Sequence, residues 1–164
     1  MKISASEDIA APAEEVFAAL TDFDRFERMA LRRGARLSRL DALEGVGAGM
    51  VWRIEFTFRG RERRARAELA EYAPPDRLRY DSRVGGFSSV TEIEVMALSP
   101  RRSRLRLSIE SHASSVPARL FLQSLRLAKP ALRRRLQKRL GQLGRRIDGL
   151  PGALPDQPRR GSAG

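Results

Sequence analysis

Few side chains in this 164-residue chain are equipped for acid–base or nucleophilic chemistry near neutral pH. It has no cysteine and a single histidine, His112. That removes thiolate nucleophiles, iron–sulfur clusters, disulfides, thiolate zinc sites and the His-x-x-x-His metalloprotease pair. His112 is the natural candidate for a general base. Its parity is that of Arg104, Arg106, Ser108 and Glu110, opposite Leu105, Leu107 and Ile109. It is therefore expected to face solvent, whereas a base must reach its substrate. Ser111 falls on the inward parity, but the sequence sets up no Ser, His and Asp/Glu arrangement around it. Glu92 and Glu94 share a strand face, as paired carboxylates for a metal would. Arginines share that face, so cross-strand ion pairs are the expected role. Gly45, Gly47 and Gly49 precede neither a helix nor a Lys-Ser/Thr pair, which makes them turn residues and not a phosphate loop. No catalytic set, metal or cofactor is expected, and whether the chain is an enzyme stays open.

The remaining polar groups sit at inferred inward positions among apolar ones. Tyr80, Ser89 and Thr91 either orient a carbonyl or hydroxyl of a bound molecule or satisfy one another. Trp52 is either a core anchor or a stacking wall.

Charge is the other feature with chemical content. The formal net charge is +12, but residues 1–116 carry 20 Lys+Arg against 18 Asp+Glu, a difference of +2. Residues 117–164 carry 12 against 2, a difference of +10. Only Lys2, Lys129 and Lys138 are lysines, a bias that arginine-based recognition or a GC-rich genome would equally produce. From Pro117 to Ile147 there are ten basic residues and no acid. Arg133, Arg134, Arg135, Lys138, Arg139, Arg145 and Arg146 cover the face away from a leucine stripe. A solvated polar face is the plain reading. A helix without sign mixing repels itself, however, and that favours an anionic partner, either an acidic membrane surface or RNA. No aromatic residues interleave with the arginines to stack on bases.

The elements that position these groups follow from periodicity. Ile3–Ala10 has strand length. Pro12, Glu14 and Glu15 suit a helix's first turn, followed by Val16, Phe17 and Leu20 on one face. Thr21-Asp22 caps a second short helix through Phe23, Phe26 and Met29. The period then becomes two. Strands are expected at Ala35–Asp41, at Met50–Phe58, at Glu62–Tyr72 with Ala65, Ala67 and Leu69 on one face, and at Leu78–Val84. Two more follow at Phe87–Leu98 and Arg104–Ala113, with Gly85-Gly86 as a two-residue hairpin turn. After Pro117 the period is helical again: Leu132, Leu136, Leu140, Leu143 and Ile147 form one stripe, continued upstream by Phe121, Leu125 and Ala128. Pro130 is expected to kink this helix near Arg126. Residues 148–164, rich in Pro and Gly from Gly149 on, read as a disordered tail.

That order predicts an α+β fold over residues 1–147. A seven-stranded, curved antiparallel sheet wraps around a long C-terminal helix, with two short helices between strands 1 and 2. Ala65, Ala67, Ser82, Ser89, Thr91 and Ser111 are small or polar on inward positions, where a packed core would favour Leu, Ile or Phe. Either large neighbours such as Trp52, Phe56 and Phe87 fill that space or a cavity remains, and recurrence of small residues on adjacent strands favours the cavity.

Ile9-Ala10-Ala11-Pro12-Ala13-Glu14-Glu15-Val16-Phe17-Ala18-Ala19-Leu20-Thr21-Asp22-Phe23 resembles the opening of the START-like (SRPBCC) superfamily. That superfamily holds polyketide cyclases/dehydrases and lipid-transport proteins, with the helix-grip fold of the birch-pollen allergen. The Gly-rich turn before Met50-Val51-Trp52 and the Pro-Pro-Asp-Arg-Leu turn at 74–78 are similar to it too. The resemblance implies an internal hydrophobic pocket beneath the C-terminal helix and no shared catalytic set. Quinone-binding and ribosome-associated relatives make either anionic partner compatible with it.

The function expected is binding or carriage of a small hydrophobic molecule (a lipid, quinone or polyketide-like compound). Its lining would comprise Trp52, Phe56, Ala67, Tyr80, Phe87, Ser89, Thr91, Leu107, Ser111, Phe121 and Leu125. Two alternatives stand beside it: a cyclase or dehydratase using the same pocket, and an interaction protein docking its arginine helix on RNA, ribosome or acidic membrane. No stretch approaches the ~18–20 apolar residues of a membrane span, and the N-terminus has no signal-peptide core, so a cytoplasmic location is expected.

Overall fold

In the computed structural model, which describes residues 1–148, the alternating segments pair into one antiparallel sheet. The chain runs β1 (Lys2–Ile9), α1 (Ala13–Leu20), α2 (Phe23–Arg32), β2 (Arg36–Arg39), β3 (Val51–Phe58), β4 (Arg61–Ala73), β5 (Arg77–Val84), β6 (Phe87–Ser99) and β7 (Arg102–Ala113), then α3 (Val116–Leu127) and α4 (Lys129–Asp148). The strand order is β1-β7-β6-β5-β4-β3-β2, a meander with the N-terminal strand added beside β7. This is the seven-stranded α+β architecture that the alternation predicts.

Local chemistry sets the boundaries. The Asp22 carboxylate accepts from the Arg25 N–H at 3.3 Å and caps α2. The β3–β4 hairpin turns through Arg59 and Gly60, both at positive φ (51° and 73°). A bulge between Leu69 and Glu71 shifts the register of β4, so Tyr72 faces inward opposite Leu78 and its ring meets Phe17 at 5.6 Å. The short edge strand β2 is fastened by Asp41. Its carboxylate accepts from Arg39 at 2.6 and 2.8 Å, from the Val51 N–H at 2.8 Å and from the Leu43 N–H at 3.0 Å.

The C-terminal helix differs from expectation: it is broken, not kinked. Pro130 has no N–H, and its ring crowds the Arg126 carbonyl. α3 therefore ends at Leu127, Ala128 lies exposed at the break, and Pro130 sits in the first turn of α4. The break also changes the helical phase, so Leu122, outside the expected stripe, is the buried residue of α3. Along α4 the stripe holds: Leu140 and Ile147 are in the core, with Leu136 and Leu143 packed against it. α4 comes closest to β1 at Gly141 and Gly144, where a Cβ on Gly144 would meet Glu7 Cγ and Ile9 Cγ1 at 3.4 Å. Gln137 Nε2 donates to the Ser6 carbonyl at 2.7 Å, and Asp148, expected to begin the tail, instead ends α4 and accepts from the Ala10 N–H at 3.0 Å. The rest of that tail, 149–164, lies outside the described residues.

Candidate functional site

The inward face of the sheet changes character along the strands. At one end Leu69, Leu78 and Leu105 are fully buried, as are Ile9 and Val16, and these join Val95, Phe17 and Leu20 in the core beneath α1. The next inward row across the sheet is Leu69–Tyr80–Thr91–Ile109–Ile3. The row beyond is Trp52–Ala67–Ser82–Ser89–Ser111, so four small side chains, three of them serines, stand side by side on four adjacent strands. Further out come Val84, Phe87 and Ala113, and the hairpin tip carries Phe58 at 42% exposure. Burial on this face is uneven: Trp52, Ala67 and Ser111 are buried, whereas Tyr80, Ser82, Phe87, Ser89, Thr91 and Leu107 are only partly so.

Two aromatic groups frame the small-residue row. Inside, Trp52 lies between Phe23 of α2 (centroids 5.2 Å apart) and Tyr80 (6.3 Å). At the rim, Phe121 of α3 meets Phe58 at 6.1 Å and Phe87 at 6.0 Å, both edge-on. The Arg59 guanidinium lies over both rim rings, 5.3 Å from Phe58 and 5.5 Å from Phe121. Leu125 is partly buried one turn beyond Phe121. Phe56 borders a groove of about 410 Å³ with Gly34, Arg36, Glu55 and Arg63 at the β2–β3–β4 edge. Leu107 sits deeper, in register with Ile93 and Ala5.

The hydroxyls of this face differ from those of the core. Ser103, fully buried, donates to the Ala11 carbonyl at 2.7 Å. The side chains of Tyr80, Ser82, Ser89, Thr91 and Ser111 take part in no hydrogen bond among the described residues, and none of their oxygens is sealed away unpartnered. Burial pushes the Tyr80 phenol up to about 12. It is thus a neutral hydrogen-bond donor at neutral pH and not a base. Such a wall suits a largely apolar molecule with one or two oxygens to orient.

The other residues singled out by sequence fall where parity put them. His112 is on the outer face, its Nε2 3.5 Å from Glu110 Oε1. Glu94 accepts from Arg77 across the strands at 3.2 Å. Arg133, Arg134, Arg135, Lys138, Arg139, Arg145 and Arg146 are all exposed on α4, and none is within 4.0 Å of a carboxylate among the described residues. Sequence reasoning passed over Phe23, Phe58 and Arg59. Gly60, as a turn residue, was the available signal for the last two.

No described helix is long and apolar enough to cross a membrane. None of the curated proteins matches the chain. Among solved structures it is similar to the Zhui aromatase/cyclase of Streptomyces sp. R1128 (15% identity, 90% of this chain and 93% of that one, TM-score 0.65). It is similar to truncated norcoclaurine synthase of Thalictrum flavum (13%, 92% and 95%, TM-score 0.64). It also resembles a START superfamily protein of Mycobacterium smegmatis (17%, 87% and 98%, TM-score 0.55). At these identities the likeness carries the helix-grip fold alone. The family model for polyketide cyclase / dehydrase and lipid transport proteins matches residues 1–148, the whole described length. These findings bear on ligand class and not on a membrane or RNA partner. With strand, Ala-Pro helix, curved sheet and C-terminal helices all matched, the chain belongs to the polyketide cyclase / dehydrase and lipid transport family.

Proposed function

We propose that the chain binds a small hydrophobic molecule, of lipid, quinone or polyketide type, against the concave face between the Trp52 and Phe121 aromatic groups. The observation that carries this is the row Ala67–Ser82–Ser89–Ser111, small residues with unengaged hydroxyls level with Trp52. Family membership supports the same ligand class. Trp52 is the chain's one tryptophan, so its emission reports this wall directly. Titration with a long-chain fatty acid or a naphthoquinone is expected to change that emission saturably, and Ser89→Leu to abolish the change. Native mass spectrometry of freshly purified protein would identify a copurifying ligand. Emission indifferent to every such probe, with no copurifying mass, would overturn the reading.

A cyclase or dehydratase acting in the same site is the second reading, favoured by Tyr80 and Thr91 as cross-strand neighbours. The neutral phenol would donate to a substrate carbonyl. Tyr80→Phe or Thr91→Val would then abolish turnover while ligand still bound; loss of binding alone would leave only a carrier.

The arginine face of α4 enters the proposal as a surface for an anionic partner. Val116, Leu120 and Leu127 stand exposed on the adjoining α3, which suits an acidic bilayer better than RNA. Cosedimentation with phosphatidylglycerol vesicles that is indifferent to salt and to neutralising Arg133–Arg135 would remove it.

A further inference from the structure

A second concave feature lies on the outer side of α2. Arg25, Arg28 and Arg32 of α2, Arg33 just after it and Arg146 of α4 border a groove of about 580 Å³. Arg25, Arg28 and Arg32 follow one another at i, i+3 and i+7 and so share a helix face, spanning about 10 Å along the axis. Arg146 reaches over from α4, its Nη1 3.9 Å from Met29 Sδ at the groove floor. The one acid in the lining is Asp22, whose carboxylate is engaged at the α2 N-terminus by the Arg25 N–H.

Several arginines of the sheet are paired, as in Arg39–Asp41, Arg77–Glu94 and Arg104–Asp8. None of the five groove arginines has a carboxylate within 4.0 Å among the described residues. Five cations gathered in one concavity with one committed acid repel each other, and an entering anion relieves that repulsion.

We propose that this groove binds a polyphosphate group, meaning two or more phosphates carried close together on one molecule. The guanidinium fork matches phosphate oxygens two at a time. A single carboxylate would answer one cation and leave the row along α2 unmatched, whereas phosphates held close together answer several. A flat bilayer surface does not enter a concavity, and no aromatic side chain lines it to stack a base. The site is separate from the proposed hydrophobic one: Phe23 packs on Trp52 from the opposite side of α2.

Calorimetric titration of the full chain with inorganic tripolyphosphate tests this. One-to-one saturable binding is expected. The double variant Arg28→Glu/Arg146→Glu should weaken it about tenfold or more, and Arg83→Glu/Arg101→Glu, equal in charge, exposed on the sheet and its β6–β7 turn and outside both the groove and the α4 arginine face, less than about twofold. Circular dichroism checks that both variants keep the fold. Phosphatidylcholine vesicles with and without phosphatidylinositol bisphosphate separate the sources: groove-dependent recruitment by the doped vesicles assigns a phosphorylated headgroup, and tripolyphosphate binding alone assigns a free polyphosphate. Unsaturable binding, equal weakening by the two double variants, or binding of single-stranded RNA without tripolyphosphate would overturn the proposal.

Discussion

Replacing Tyr80 with phenylalanine tests the state of the concave wall without any ligand in hand. The phenol makes no hydrogen bond among the described residues, and burial moves it from 10.0 up to about 12. Tyr80→Phe therefore removes no internal bond, and near pH 8 the variant should match the parent within about 0.5 kcal/mol. Alkali separates the two. A raised folded-state pKa means that stability is intact below the unfolded value and lost as pH rises toward the folded one. Near pH 11 the unfolded phenol is mostly ionised and the folded one mostly neutral, so the parent loses about 1.4 kcal/mol that the variant keeps. Urea unfolding of both proteins across this range measures the gap. Their difference spectrum in the near-ultraviolet isolates the Tyr80 tyrosinate. A gap that stays constant from about pH 8 to about pH 11, with the phenol titrating at its ordinary value, would refute the claim that this wall is desolvated.

The other predictions concern what holds the wall in place. Gly144→Ala puts a methyl at ordinary contact distance, 3.4 Å, from Glu7 and Ile9; helix propensity then favours a gain of about 0.5–1 kcal/mol. Gly144→Leu should lose about 1–3 kcal/mol by overpacking, both read from urea midpoints. Leu105→Ala, at the sealed end, is expected to cost about 2–5 kcal/mol, and Phe87→Ala at the partly exposed rim less than half of that; equal losses would deny the difference in burial between the two positions. The Asp41 carboxyl is held well below its usual range by Arg39 first and then by the Val51 N–H. Its contribution is present above the ordinary carboxylate pKa and disappears as pH falls through the lowered one. Asp41→Ala should thus destabilise at neutral pH, with the difference from the parent shrinking in strong acid; acid titration of the unfolding midpoint checks this.

Strand faces were legible because a half-buried strand must alternate. Trp52, Ala67, Tyr80, Ser89 and Ser111 could be placed on one face from parity alone, and His112 on the other. Tyr72 was not, since one extra residue at the Leu69–Glu71 bulge reverses parity and nothing in the residue types announces it. The α3–α4 break was half legible: Pro130 predicts disruption, but whether a helix bends or separates depends on what each half packs against. Nothing in the residue types at Gly141 and Gly144 announces that β1 passes there closely enough to leave room for a methyl but not for a large side chain. The arginine groove was invisible for a different reason. Arg146 is 113 positions beyond Arg33, and the three arginines of α2 with Arg33 after them look like an ordinary polar face until α4 is laid beside them.

A sheet of this kind has two free margins, and each is a place where another copy of the chain could add a strand. β2 offers only four residues, Arg36 to Arg39, with an arginine at each end and its neighbour Asp41 already holding the chain. β1 is the longer margin, and there Gln137 of α4 occupies the Ser6 carbonyl. The C-terminal helix thus serves as a guard against strand addition as well as a cover for the core. Concentrated solutions of the intact chain should stay monodisperse by light scattering, and Gln137→Ala combined with Gly144→Leu, which loosens that guard, should be the change that starts self-association.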